Sequence, residues 1–247
     1  MKIIHEDNII YLNEGAKYAL KQLETSIKKG FFEGVSSIND LPWNFLWGIP
    51  EQFSKFMACL DYNIMRKKVL DLGCGSVGKT VESKEYPRKY EPWLCRALWS
   101  MRTEGLDGCN YQPEKTQMIG VDIGDLSKEK FPHKKLDLLE KDVLVNNFEK
   151  ESFDLINASM LFNSPELEKI VTGKEGNKDA SKETSLKLKE ILLPQIKTIL
   201  KSEGIFLYNG GGRELFSDEP EYISVFRPSE DVRKMFISEK HYYGGQY

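Results

Sequence analysis

The chain has 247 residues, a formal net charge of −3, 40% hydrophobic and 30% charged residues, which is the composition of an ordinary globular protein. That length suits one α/β domain with additions, burying roughly 70–75% of the surface its unfolded chain exposes. The slight acidic balance gives no electrostatic basis for binding nucleic acid or an anionic membrane, no apolar run approaches the roughly 20 residues of a bilayer span, and acids interrupt Met1–Asp7 too early for a secretory signal.

Cys59, Cys74, Cys95 and Cys109 form no C-x-x-C pair, and no histidine stands at zinc-ligand spacing from them, so no metal site is expected. Buried, reduced thiols in a cytoplasmic protein are the expectation. Cys74 lies inside a glycine-rich turn, where a small side chain is wanted more than a nucleophile.

The first 65 residues read as a helical cap. Asn13 is placed to cap a helix over 13–29 whose face is Ala16, Leu20, Leu23 and Ile27. An aromatic connection from Phe31 to Trp47 leads to a second helix with Pro50 near its first turn and Phe53, Phe56, Met57 and Leu60 along one stripe. Val69, Leu70 and Leu72 then mark a first strand that runs into Gly73, Gly75 and Gly78. Val81–Lys89 is a poor helix because it is polar and contains Pro87, whereas Pro92–Arg102 is a good one. Met118–Ile123 is a second strand ending in an acid, and a weaker third strand falls around Leu136–Leu139.

Phe153–Ser159 reads as a fourth strand, and Ser164-Pro165-Glu166 is a helix-start signal. Thr172–Thr184 reads as a charged loop. Residues 185–201 form a long helix, kinked at Pro194 and ended by Gly204, with a fifth strand to Asn209. A further short helix is expected over 228–237. Strands separated by helices imply right-handed βαβ units and a mainly parallel, doubly wound sheet. In such a sheet ligands bind outside the carboxyl ends of the strands. The glycine turn, Asp122, Asp142 and the Asn157–Ser159 end all fall on that edge.

The stretch Lys68–Thr80 fits three patterns. Gly73–Gly78 is a literal G-x-G-x-x-G, and Gly73–Thr80 is a literal G-x-x-x-x-G-K-T. A phosphate loop needs a helix starting at Lys79-Thr80, but the residues that follow have no apolar stripe and soon meet Pro87. A dinucleotide site needs an acid about 20 residues past the glycines, and Asp122 lies 44 past Gly78. That pattern also expects an apolar residue where Asp71 stands.

The third pattern, Asp71-Leu-Gly-Cys-Gly75, resembles the first motif of the class I S-adenosylmethionine-dependent methyltransferases. The likeness continues through Gly-Val-Asp122-Ile, Lys141-Asp142-Val143, Phe153-Asp-Leu-Ile-Asn157-Ala-Ser and Ile199-Leu-Lys-Ser-Glu-Gly204-Ile-Phe-Leu. It covers roughly residues 66–209. Val77 stands where the family's third glycine is usual. The 38 residues after Asn209 are short for the family's last two antiparallel strands, so an altered C-terminal edge is expected.

The resemblance implies a Rossmann-like catalytic domain over 66–247 behind the 1–65 cap, with S-adenosylmethionine as cofactor. It also implies roles. Asp71 faces the methionine ammonium, and Gly73, Cys74 and Gly75 allow close backbone approach. Asp122 takes the ribose hydroxyls, Ile123 and Val143 sandwich the adenine, Asp142 accepts from its amino group, and Asn157 lines the reacting end. The acceptor is expected to be a small molecule or a protein side chain rather than nucleic acid, since there is no basic stripe and no Asn/Asp-Pro-Pro-aromatic signature. No general base and no oligomeric state can be named from the residues. An NAD(P)-binding oxidoreductase and a catalytically silent, partner-binding methyltransferase fold are the alternatives.

Overall fold

The computed structural model describes residues 1–5, 25, 28–29, 68–76, 80–81, 88–89, 92–101, 117–174, 178–212 and 214–224. The strands are β1 (Lys2–His5), β2 (Lys68–Leu72), β3 (Thr80–Val81), β4 (Arg88–Lys89), β5 (Gln117–Asp122), β6 (His133–Lys135), β7 (Phe153–Ser159), β8 (Leu200–Asn209) and β9 (Tyr222–Ser224). The helices are α1 (Trp93–Met101), α2 (Val143–Asn147), α3 (Pro165–Thr172) and α4 (Lys178–Ile199). Among the described residues, seven strands form one sheet in the order β6-β5-β2-β7-β8-β1-β9. Every pairing within it is parallel.

The side-chain alternation of the central strands explains how both faces are covered. Leu70 and Leu72 of β2 share one buried cluster with Ile156 and Ala158 of β7, Phe206 and Tyr208 of β8, and Leu188, Leu192 and Ile196 of α4. The intervening residues face the other way, toward α1, where the Cys95 thiol meets the Asp71 carboxylate. Helix α4 supplies its apolar stripe at nearly regular four-residue steps, from Ala180 and Thr184 through Leu188, Leu192 and Ile196 to Ile199, all buried. Beneath α1, Gly120 lies opposite Asp71 in the register. A Cβ at Gly120 would stand 2.7 Å from Phe131, 2.9 Å from the Cys74 sulfur and 3.1 Å from the Cys95 sulfur, so this face closes only over a glycine.

Several expectations are met and several are corrected. The strand Phe153–Ser159 and the helix at Trp93–Met101 fall where the pattern places them, and Ser164 caps α3 by accepting from the Leu167 N–H at 3.5 Å. The stretch read as a loop up to Thr184 is helical from Lys178, because Ala180, Thr184 and Ser185 are buried. Helix α4 continues through Pro194 and ends at Ile199, so Gly204 does not terminate it. Gly204 lies inside β8, where the register against β7 is interrupted and a Cβ would stand 2.6 Å from Leu200. The third strand lies at His133–Lys135, before the leucines expected to form it. The helices read over 13–29 and 228–237 and the helix after Pro50 lie outside the described residues, apart from Thr25 and Lys28, which are helical.

The altered C-terminal edge takes an unforeseen form. Lys2–His5, read as part of the cap, is an interior strand running parallel between β8 and β9, with Ile3 opposite Phe206 on one side and Tyr222 on the other. A peripheral strand would tolerate truncation of its side chains, but Ile3 is 0% exposed and belongs to the main core. Ile3→Ala is therefore expected to lower unfolding stability by about 2–5 kcal/mol, read from urea denaturation. A loss below about 0.5 kcal/mol, as for an ordinary surface position, would place β1 outside the core.

Candidate functional site

The site grows from the ends of β2 and β5. As β2 ends, Gly73 and Gly75 take φ values of +66° and +94°, which side chains with a Cβ rarely adopt. The turn is tied to its neighbour twice. The Cys74 N–H donates to the Val121 carbonyl at 3.0 Å, and the Gly75 N–H donates to Asp122 Oδ2 at 3.1 Å. The other oxygen, Asp122 Oδ1, accepts from the Gly124 N–H at 2.7 Å. One carboxylate thus holds two loops. A Cβ at Gly124 would lie 1.8 Å from Ser76 Oγ and 2.9 Å from Asp122 Oδ1, so glycine is required there for Ser76 to sit beside Asp122.

The next described residues after Ser76 are not helical. Thr80–Val81 pairs antiparallel with Arg88–Lys89, so no helix N-terminus begins at Lys79-Thr80 to receive a phosphate. The P-loop spacing has no P-loop structure behind it.

The opposite wall comes from the end of β7. Met160 adopts the left-handed conformation at φ 58°, Leu161–Asn163 form a 3-10 turn, and α3 follows. Two glycines after β8 permit this path. A Cβ at Gly210 would lie 2.9 Å from Asn163 Cβ and 3.4 Å from Met160 Cα, and one at Gly211 would lie 2.8 Å from Phe162 Cβ. Phe162 is fixed edge-on against Phe206, Tyr208 and Phe216, with ring centroids 5.4–6.2 Å apart. The wall also touches the glycine turn, since a Cβ at Gly73 would stand 2.9 Å from Leu161 Cδ1.

Between these parts lies a cavity of about 170 Å³. On one side it is lined by Gly73, Gly75, Ser76, Asp122, Ile123 and Leu136–Leu138, and on the other by residues of the Ser159–Leu161 and Asn163–Leu167 stretches and Ile170. The lining carries the carboxylates Asp122, Asp137 and Glu166 and, among the described residues, no lysine, arginine or histidine. The Ser76 and Ser159 hydroxyls, both lining it, are buried without a hydrogen-bond partner.

One layer beneath the turn lies a second group. Asp71 is 3% exposed. Its Oδ1 accepts from Asn157 Nδ2 at 2.7 Å, and its Oδ2 accepts from the Cys95 thiol at 3.4 Å. Burial outweighs these hydrogen bonds and raises its pKa from 3.8 to about 6. Burial likewise pushes the Cys95 thiol well up. The hydrogen bond with Cys95 favours the Cys74 thiolate, but burial and the carboxylates of Asp71 and Asp122 outweigh it and hold that thiol up too. Both are protonated at neutral pH and neither is poised as a nucleophile.

Among the site residues read from sequence, Gly73, Gly75, Asp122 and Ile123 line the cavity together. Asp71, Cys74 and Asn157 lie buried outside that lining. Asp142 and Val143 fall elsewhere. Asp142 is exposed at the left-handed start of α2, Val143 belongs to the core, and neither lines the cavity. The segment that does line the cavity is Leu136-Asp137-Leu138. It was missed because its leucines imitate a strand, which moved the expected strand end, and with it the acid, downstream. Ser76 and the wall from Ser159 to Ile170 were also missed. The polar Ser164 cap signal marked the start of α3 but not which of its sides meets a ligand.

Strand order, glycine turn and the position of the site make this a Rossmann-like, parallel α/β fold. No protein-family model matches the sequence, and no curated protein matches it. Among solved structures, the CurJ carbon methyltransferase is similar at 17% identity and a TM-score of 0.31, over 71% of this chain and 41% of that one. The trans-methyltransferase CalH in complex with SAH is similar at 15% and 0.32, over 79% and 47%. A SAM-dependent methyltransferase from Archaeoglobus fulgidus is similar at 15% and 0.34, over 76% and 66%. The chain spans less than half the length of the first two. With likeness this distant, the functional reading rests on the site's own residues. Among the described residues no group of three His, Cys, Asp or Glu side chains is placed to hold a metal, and no helix is long and apolar enough to cross a membrane.

The buried Asp71 carboxylate carries a pH signature. With its folded pKa raised from 3.8 to about 6, its contribution to stability is complete below pH 3.8 and is lost as the pH rises through 6. Asp71→Asn keeps the acceptor for Asn157 and removes the buried charge. The variant is expected to be more stable than the parent at pH 8 by on the order of 3 kcal/mol, with the difference vanishing near pH 4 in urea titrations. A difference that does not change with pH would mean that Asp71 does not titrate in this range.

Proposed function

We propose that this chain is an S-adenosylmethionine-dependent methyltransferase acting on a small molecule or a protein side chain. The observation that carries the reading is the Asp122 carboxylate, held at the carboxyl edge of β5 by the Gly75 and Gly124 amides, in a cavity that has carboxylates and no cation among its described lining residues. A carboxylate offers about four acceptor positions. Two are occupied by amides, and the remaining two match a pair of ribose hydroxyls. A pyrophosphate-bearing dinucleotide would meet like charge here, and Thr80–Val81 is strand rather than the start of a helix.

The residues fit the cofactor group by group. The positive-φ turn at Gly73 and Gly75 lets a ligand approach the backbone, and the unpartnered Ser76 hydroxyl offers it a hydrogen bond. Ile123 and Leu138 would flank the adenine. Asp137 would accept from the adenine amino group with the oxygen left over after its Oδ1 accepts from the Leu139 N–H at 2.9 Å. Asp71, through its position under the turn and its bond from Asn157, would set a negative potential toward the cationic methionine end. When bound, S-adenosylmethionine supplies a carbon already activated by the sulfonium. The chain's part is then to hold donor and acceptor in line and to exclude water. The acceptor atom gains the methyl as the sulfur–carbon bond breaks, and S-adenosylhomocysteine leaves.

Calorimetric titration with S-adenosylhomocysteine and with NAD tests this. Saturable binding of the former and none of the latter at millimolar concentration is expected. Asp122→Ala should weaken binding at least tenfold, Asp137→Ala about three- to tenfold, and Asp71→Asn should weaken binding while it stabilises the fold. NAD binding without S-adenosylhomocysteine binding would sink the reading.

A further inference from the structure

The cofactor assignment uses only one side of the cavity. It leaves the wall built from Ser159, Met160, Asn163, Ser164, Leu167 and Ile170 without a role. We infer that this wall is the acceptor half of the site and that it selects a small, non-anionic molecule with an apolar body and a hydroxyl or amine group directed at Ser159. The inference rests on the methyltransferase reading above.

Four observations converge on it. Ser159 Oγ is buried without a partner, and a native structure rarely leaves such a hydroxyl unless a ligand or a water completes it. The apolar contribution comes from Met160, Leu167 and Ile170, and Ile170 is 59% exposed at the cavity, a large hydrophobic side chain that a bound molecule would cover. The wall is also built at a cost. Met160 holds a left-handed backbone at φ 58°, and a Cβ at Gly210 or Gly211 would stand 2.9 Å from Asn163 Cβ or 2.8 Å from Phe162 Cβ, closer than side chains pack. Strain kept in place by its surroundings is characteristic of binding sites. Finally, an anionic acceptor would enter beside Glu166 on this side of the cavity with no lining cation among the described residues to neutralise it, a placement that desolvation and like-charge repulsion both disfavour.

A solvated strand end explains the Ser159 hydroxyl alone. It does not explain why the strained backbone, the exposed isoleucine and the one-signed lining meet at the same cavity.

The test uses full-length protein saturated with S-adenosylhomocysteine, with 2-phenylethanol, 2-phenylethylamine and phenylacetate as probes in saturation-transfer NMR titrations. The alcohol and the amine are expected to bind, with phenylacetate at least tenfold weaker. Ser159→Ala should weaken the alcohol and the amine about three- to tenfold, the size of one hydrogen bond, while S-adenosylhomocysteine affinity stays within twofold. Phenylacetate binding as tightly as the others, or no probe binding to the loaded protein, would overturn the inference. So would a Ser159→Ala loss confined to S-adenosylhomocysteine, which would move Ser159 to the cofactor half. Absence of S-adenosylhomocysteine binding would overturn the methyltransferase reading, and this inference with it.

Discussion

The Asp122 carboxylate, with one oxygen on the Gly75 amide and the other on the Gly124 amide, is the interaction on which the site depends. Parallel strands deliver both loops to the same edge of the sheet, but they do not fix the distance between them. A charged acceptor shared by two backbone donors does, because hydrogen bonds to an ionised group are short and strong. Ser76 occupies the space that a side chain at Gly124 would need, so the two loops interlock as well as bond. Releasing Asp122 would free the glycine turn, and the glycine turn is what Leu161 of the opposite wall packs against.

Charge is distributed by depth. At the cavity surface the Asp122 and Asp137 carboxylates accept hydrogen bonds from backbone amides. Beneath it, Asp71 is enclosed by Asn157 and Cys95, with burial lifting its pKa to about 6. The same sign runs through the lining, and it argues against phosphate more strongly than any spacing motif argues for it.

Elements buried on both faces were legible in the sequence because their apolar runs were continuous and their ends punctuated. β7 is one such case, and the Ser164-Pro165 cap of α3 is another. The cavity-lining Gly73, Gly75 and Asp122 were legible for the same reason, since each sits next to a well-marked strand end. Failures occurred where tertiary context overrode the local pattern. β6 is an edge strand whose residues, His133-Lys-Lys135, are polar, so the adjacent leucines drew the expected strand, and the acid chosen was Asp142 although Asp137 is the one that lines the cavity. β1 carries only four residues, too few for an alternating pattern, and its place between β8 and β9 is set by partners some 200 residues away in sequence. Gly204 looked like a helix terminator because glycine serves equally well in the interrupted register it occupies.

A crystal structure of the chain grown with S-adenosylhomocysteine is the most direct measurement. The ribose hydroxyls should lie within hydrogen-bond distance of Asp122 while the Gly75 and Gly124 amides keep their bonds to it, with the adenine between Ile123 and Leu138 and its amino group on Asp137. Density for the ligand elsewhere on the molecule, or an Asp122 carboxylate turned away from the ribose, would contradict the assignment.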